Sequence, residues 1–265
     1  MIVTEIHALH PPKGDALTAA DIIELYAPAD RSTPWLRVNF IQSLDGSATL
    51  DGRSGGLGHP ADKVVFDTLR GLADVVLVGA GTARAEGYGA LRVRDDLADW
   101  RRSLGLPDQP TMALVSARLD LDPASSLFAE APVRPIVFTV VGAAPDARAR
   151  LERVATVVDA GRDRVDPAVV RRELASRGLP QVLCEGGPTM FGDFLAARLV
   201  DELCLTISPV LEGGAGPRIA VARAAGGEAA AARASTAPPS DMELGHLLRS
   251  GSLLLTRWVR ATGAA

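Results

Sequence analysis

Lysine is nearly missing from this 265-residue chain: of 28 basic residues only Lys13 and Lys63 are lysine. Arginine carries the positive charge in an alanine-rich background, a pattern that fits GC-rich coding. Basic charge is not in excess either. The net charge of −4 supplies no global positive field, so no nucleic-acid partner is expected. There are two cysteines, Cys184 and Cys204, each inside an apolar run. That excludes a disulfide scaffold and points to buried free thiols. The four histidines, His7, His10, His59 and His246, are scattered without zinc-ligand spacing. Asp45 and Asp51 miss the calcium-loop pattern. There is no G-x-S-x-G, and Cys184 has no evident histidine partner. No metal site and no protein nucleophile is therefore expected. No stretch approaches the ~20 apolar residues of a membrane span, and Met1 to His10 holds no long apolar run. The expectation is a cytoplasmic protein with no membrane partner.

What is present is a 47% hydrophobic composition that supports a sizeable core. Residues 1–34 read as an N-terminal extension with one amphipathic segment, Leu17 to Tyr26, for which Thr18 is a plausible N-cap. Strands are expected at Trp35 to Gln42, Asp74 to Gly79, Thr111 to Ser116, Pro135 to Val140, Ala155 to Ala160 and Gln181 to Cys184. Two more are expected, one within Asp201 to Leu211 and one at Ser252 to Arg260. Helices are expected from Pro60 to Arg70 (stopped by Gly71), from Pro145 to Arg153, from Pro167 to Arg177 and after Pro188. The stretch leading up to Thr111 reads as irregular and charged. Ala222 to Ser240 is low-complexity and reads as a mobile surface loop. The alternation implies an α/β fold: a mostly parallel central sheet with antiparallel C-terminal strands, helices on both faces. No linker is visible, so residues 35–265 read as a single domain.

In "ADVVLVGAGTARAEGYG", Ala73 to Gly89, a buried-type strand ends at a glycine-rich turn. A dinucleotide fingerprint needs a third glycine where Arg84 stands, and Gly87 and Gly89 cut the following helix to about one turn. The glycines still allow close backbone approach to a ligand, with the Thr82 hydroxyl beside it. In "VLCEGGPTMFGDFL", Val182 to Leu195, a strand ends at Cys184, two glycines turn the chain, and Pro188 opens a helix. Free N–H groups at Gly187, Thr189 and Met190 would suit a diphosphate. Glu185 stands at the carboxyl end of a strand, where α/β sheets keep their ligands. In "LVSARL", Ser116 and Arg118 follow a strand and suit a phosphate monoester such as the 2′-phosphate of NADPH.

Four ordered segments, "SLDG", "LRGLADVVLVGAGTARAEGYGALR", "EGGPTMFGDFL" and "VDELCLTISPVLEGG", resemble the reductase domain of bacterial riboflavin biosynthesis. The similarity covers about residues 35–260 and is nearest in kind to stand-alone actinobacterial members. The zinc deaminase half of the bifunctional proteins is absent from the sequence. The resemblance implies a dihydrofolate-reductase-like fold, an NADPH cofactor, a homodimer and a phosphorylated pyrimidine substrate. Hydride would pass to C1′ of the opened ribose of 5-amino-6-(5-phosphoribosylamino)uracil or its pathway equivalent. Cofactor contacts are implied at Thr82, Glu86, Ser116 and Arg118, and along Gly186, Gly187, Pro188, Thr189, Met190 and Phe191 as far as Asp193. Substrate contacts are implied at Ser54, Arg70, Arg92 and Glu185. Glu185 and Asp45 are the catalytic candidates, Asp45 as a brace for a loop over the nicotinamide or as a loop cap.

Bifunctional members carry an aromatic near Gly56 and Asp-Asp-Pro where this chain has Glu86-Gly87-Tyr88. Those positions border cofactor and substrate, so two other readings stay open. One is a dihydrofolate or other pteridine reductase, and the other a non-catalytic NADP(H)- or flavin-binding protein.

Overall fold

The computed structural model describes residues 4–214, 216–221 and 239–261. In chain order the strands are β1 (His7–His10), β2 (Trp35–Gln42), β3 (Val75–Gly79), β4 (Thr111–Val115), β5 (Ile136–Thr139), β6 (Thr156–Asp159), β7 (Gln181–Cys184), β8 (Glu202–Ile207), β9 (Met242–Ser250) and β10 (Leu253–Arg260). The helices are α1 (Ala19–Tyr26), α2 (Pro60–Leu72), α3 (Ala80–Ala85), α4 (Asp95–Ser103), α5 (Ser126–Ala129), α6 (Pro145–Leu151), α7 (Pro167–Ser176) and α8 (Pro188–Ala196). The expected loop at 222–240 falls, over residues 222–238, outside the described residues.

The chain divides into two compact units. One holds Met1–Leu25, Leu36–Phe66 and Gly186–Ala265; the other holds Tyr26–Trp35 and Asp67–Glu185. The second unit is an all-parallel sheet in the order β7-β3-β4-β5-β6. Residues 75–78 of β3 and all of β5 and β7 are buried, as expected of strands covered on both faces. From β3 the strand order runs outward to β6, then returns to place β7 on the other side of β3. The carboxyl ends of β3 and β7 are therefore a topological switch point of this sheet. The Tyr26–Trp35 segment is tied to the same sheet by Gln181, whose amide donates to the carbonyls of Asp30, Arg31 and Thr33 at 3.2, 3.2 and 2.9 Å.

The first unit carries the antiparallel part, β1-β9-β10-β8, with β2 parallel to β8. At its centre the fully buried Glu202 lies between two arginines. Arg37 Nε stands 2.6 Å and Arg257 Nε 2.8 Å from Oε1. Burial pushes this carboxyl up, but the two guanidinia outweigh burial and hold it down to about 2. His246 of β9 lies across from Arg257 in register. Burial, with Arg257 adding to it, lowers its pKa to about 4.

Five elements depart from the sequence reading, one of them α5, a single turn at Ser126–Ala129 that was not expected. Helix α2 does not stop at Gly71 but runs to Leu72. Gly71 lets another chain segment close in: a Cβ there would meet three Leu97 side-chain atoms at 2.9 Å. The helix end is instead capped by the buried Arg101, whose guanidinium donates to the carbonyls of Gly71, at 3.0 Å, and Ala73. Residues 95–103, expected to be irregular, form α4, which buries Leu97, Ala98 and Arg101. Its inward arginine hides the apolar stripe that would have revealed it. Strands β1 and β9 were not expected. Gly245 and Arg249 interrupt the apolar pattern of β9, and β1 is an edge strand of four residues. The Thr18 cap is present: its Oγ1 accepts from Asp21 N at 3.2 Å while Asp21 accepts from Thr18 N at 2.8 Å.

Two predictions follow from these contacts. Gly71→Ala should destabilise the fold. Alanine gains about 1 kcal/mol in helix propensity, but the overpacking against Leu97 costs about 1–3 kcal/mol; a chemical-denaturation midpoint below wild type is the expected result. His246, neutral in the folded state, contributes stability above the ordinary histidine value of 6.5 that is lost as pH falls toward about 4. His246→Gln should therefore lose less melting temperature between pH 7 and pH 5 than wild type does, read by calorimetry.

Candidate active site

Strand β7 ends at Cys184, and Glu185 N continues its ladder by donating to Leu77 O of β3 at 3.0 Å. This places the Glu185 side chain at the switch point. It is 1% exposed there, so a carboxylate at this position must be paired. Arg70, in the last turn of α2, pairs it from two nitrogens: Nε to Oε1 at 2.7 Å and Nη2 to Oε2 at 2.8 Å. Tyr88 donates its hydroxyl to Oε2 at 2.8 Å, and the Arg70 guanidinium lies 5.4 Å from the centre of the Tyr88 ring. Burial lowers the pKa of Arg70, but the Glu185 charge outweighs it and raises the net value. Burial and the same carboxylate raise the Tyr88 phenol, so it remains a donor at neutral pH.

Beside this cluster, in the same unit, α3 begins directly after β3 and puts Thr82 on its first turn, with Glu86 at its C-terminal cap. One strand further out, Ser116 follows β4; it is buried, and its N–H donates to Phe138 O at 2.9 Å. Because Gly79 and Val115 are register partners, the loops carrying Thr82 and Ser116 leave adjacent strands at the same level. Arg118 is exposed in the turn beyond Ser116. The short α3 agrees with the rejection of a dinucleotide fingerprint. The third-glycine position, Arg84, instead bonds the backbone of Asp120.

The other unit carries the second loop. Gly186 has φ +97, and a Cβ there would lie 2.8 Å from the Phe40 ring, so only glycine fits. The Gly186-Gly187 peptide is cis. Gly187 is the N-cap of α8 and Pro188 its first residue, as expected. Phe191 N bonds back to Gly187 O at 3.0 Å, and the N–H groups of Thr189 and Met190 open the helix. Met190 and Phe191 point their side chains into the core, Phe191 stacked on Phe40 at 5.3 Å, so only their backbones are available to a ligand.

Of the remaining candidates, Asp45 accepts from Ser43 Oγ and from the N–H groups of Gly213 at 2.7 Å and Glu212 at 3.1 Å. These bonds, Ser43 first, lower its pKa to about 2. Its observed work is to cap the loop at 212–213. Ser54 opens a 3-10 turn, Ser54–Leu57, in that unit. Arg92 is exposed and donates to Glu130 O at 2.9 Å. Sequence reasoning did not select Tyr88. The available signal was one of only two tyrosines in the chain, set in a polar Gly-Tyr-Gly loop. Among the described residues no group of histidine, cysteine, aspartate and glutamate could hold a metal ion. None of their helices is long and apolar enough to cross a membrane. Both cysteines are buried and neither is in a disulfide.

Fold and cluster together define an α/β protein with a buried, paired carboxylate at the carboxyl end of its parallel strands. The chain belongs to the RibD C-terminal domain family, whose profile matches residues 34–225. It is 31% identical over 194 residues to the 2,5-diamino-6-ribosylamino-4(3H)-pyrimidinone 5′-phosphate reductase of Methanothermobacter thermautotrophicus, covering 71% of this chain and 83% of that one. It is 30% identical over 182 residues to the riboflavin biosynthesis protein RibD of Mycobacterium tuberculosis, covering 68% of this chain and 44% of that longer protein. A crystal structure of a pyrimidine reductase-like protein from Corynebacterium diphtheriae superposes with a TM-score of 0.78 at 28% identity, over 93% of this chain and 100% of that one.

Gly186→Ala is predicted to collide with Phe40 and strain the backbone, at about 1–3 kcal/mol for each effect. A lowered melting temperature, with Phe40→Leu partly restoring it, is the expected readout.

Proposed function

We propose that this protein is an NADPH-dependent reductase of a ribosylaminopyrimidine 5′-phosphate in riboflavin biosynthesis. The observation that carries the reading is the buried Glu185 at the switch point, held by Arg70 and Tyr88. A fixed carboxylate there accepts a hydrogen bond from the amino or ring N–H groups of an aminopyrimidine. Arg70 is committed to Glu185, so its part is to hold that carboxylate in one orientation. The substrate phosphate falls to Arg92 and Ser54. NADPH, when bound, supplies the hydride, delivered to C1′ of the opened ribose. The N–H groups of Gly187, Thr189 and Met190 suit its diphosphate, and Thr82 and Glu86 its neighbouring groups. Ser116 and Arg118 suit the 2′-phosphate, a buried hydroxyl beside an exposed guanidinium. Asp45 serves by capping the loop at 212–213. The reductase is assigned to residues 35–265, with residues 1–34 an extension whose β1 lies along β9. A cytoplasmic homodimer, the form expected from the sequence, is part of the same reading.

The test follows NADPH absorbance with purified protein, offering the ribosylaminopyrimidine phosphate and dihydrofolate in parallel. Turnover of the phosphate is expected, and turnover of dihydrofolate alone would overturn the reading. Arg118→Ala should raise the KM for NADPH about tenfold or more and leave the KM for NADH nearly unchanged, since one charge-assisted hydrogen bond is worth about 1.5–3 kcal/mol.

A further inference from the structure

The function proposed above leaves the form of the pyrimidine open, and gives Tyr88 no part beyond holding Glu185. A carboxylate offers about four lone-pair directions, two on each oxygen. In Glu185 the Arg70 fork takes one on Oε1 and one on Oε2, and the Tyr88 hydroxyl takes the second on Oε2. One direction, on Oε1, remains. The side chain is 1% exposed, so no water-facing rotamer relaxes that count. Packing of the Arg70 guanidinium against the Tyr88 ring fixes the three groups relative to one another.

Two ring chemistries present themselves to such a carboxylate. A 2-aminopyrimidin-4-one has two parallel N–H donors on one edge, the ring N–H and the 2-amino group, and pairs with both oxygens of a free carboxylate. A uracil ring carries a carbonyl at that carbon and offers a single N–H there. A carboxylate with one open direction matches the single donor and leaves the second donor of the amino edge without a partner.

We propose that Tyr88 is a specificity-determining residue that, by occupying Oε2 of Glu185, selects a uracil-type over a 2-aminopyrimidinone-type ribosylamino phosphate. The proposal rests on the reductase reading.

The experiment compares kcat/KM for the 5-amino-6-ribosylaminouracil phosphate and the 2,5-diamino-6-ribosylaminopyrimidinone phosphate in wild type and Tyr88→Phe, which keeps the ring over Arg70. The expected result is a wild-type preference of at least tenfold for the uracil. In Tyr88→Phe the ratio should shrink by at least fivefold, chiefly through KM for the diamino compound, with the melting temperature close to wild type. A merely structural role would lower both substrates alike. An unchanged ratio in Tyr88→Phe, or a wild-type preference for the diamino compound, overturns the proposal. Should Tyr88→Phe fold poorly, Tyr88→Met supplies apolar cover without the hydroxyl and must show the same shrinkage. If wild type reduces neither compound, the reductase reading fails. Calorimetric binding of the two phosphates to wild type and Tyr88→Phe then decides the selectivity by itself, a shrinking affinity ratio supporting it. Absence of binding overturns both.

Discussion

A carboxylate taken almost wholly out of water has to be paired, and this requirement at Glu185 organises much of the unit that holds it. Desolvating an ion of this kind costs several kcal/mol, and attraction to a partner repays it only with good geometry. Arg70 supplies that geometry through two parallel bonds, which requires α2 to present its last turn at the mouth of β7. That in turn requires Gly71 to admit Leu97 and Arg101 to close the helix end. The pair is therefore poor evidence for stability as such. Its worth lies in fixing one polar direction at the switch point of the strand order. Removing one member would leave the other charged and dry, at about 3–5 kcal/mol.

Much of this arrangement was legible in the residues. The parallel strands β3 to β7 announce themselves as short apolar runs ended by glycine, proline or a polar cap. Asp166, which accepts from Ala168 N at 2.8 Å, and Pro188 mark helix starts by chemistry that acts within a few residues. Glu185 and the turn after it were legible for the same reason. What sequence did not reveal depends on contacts distant along the chain. Gly71 reads locally as a stop, and only Leu97, from another helix, explains its place inside one. Arg101 reads as solvent-facing charge until the carbonyls of Gly71 and Ala73 are brought to it. The resemblance marks Arg70 only as a substrate contact; its bidentate partner lies 115 residues away.

The other unit solves a related problem with opposite bookkeeping. Glu202 sits between two arginines rather than one, so the buried group carries net positive charge and favours a neutral His246 nearby. The antiparallel register of β8, β9 and β10 brings these residues together, since Cys204 and His246 are both Cα partners of Arg257. Burial makes the cluster sensitive to the loss of any one charge.

The two thiols acquire a use from their positions. Cys184 lies in the parallel unit, next to Glu185, and Cys204 lies in the antiparallel unit beside Glu202. Burial pushes the Cys204 thiol well up, and both side chains are inaccessible in the native fold. A thiol reagent can reach either sulfur only when the surrounding strands separate. The chain thus carries one built-in chemical reporter in each unit, and the labelling rates at the two sites separately time the opening of the two units.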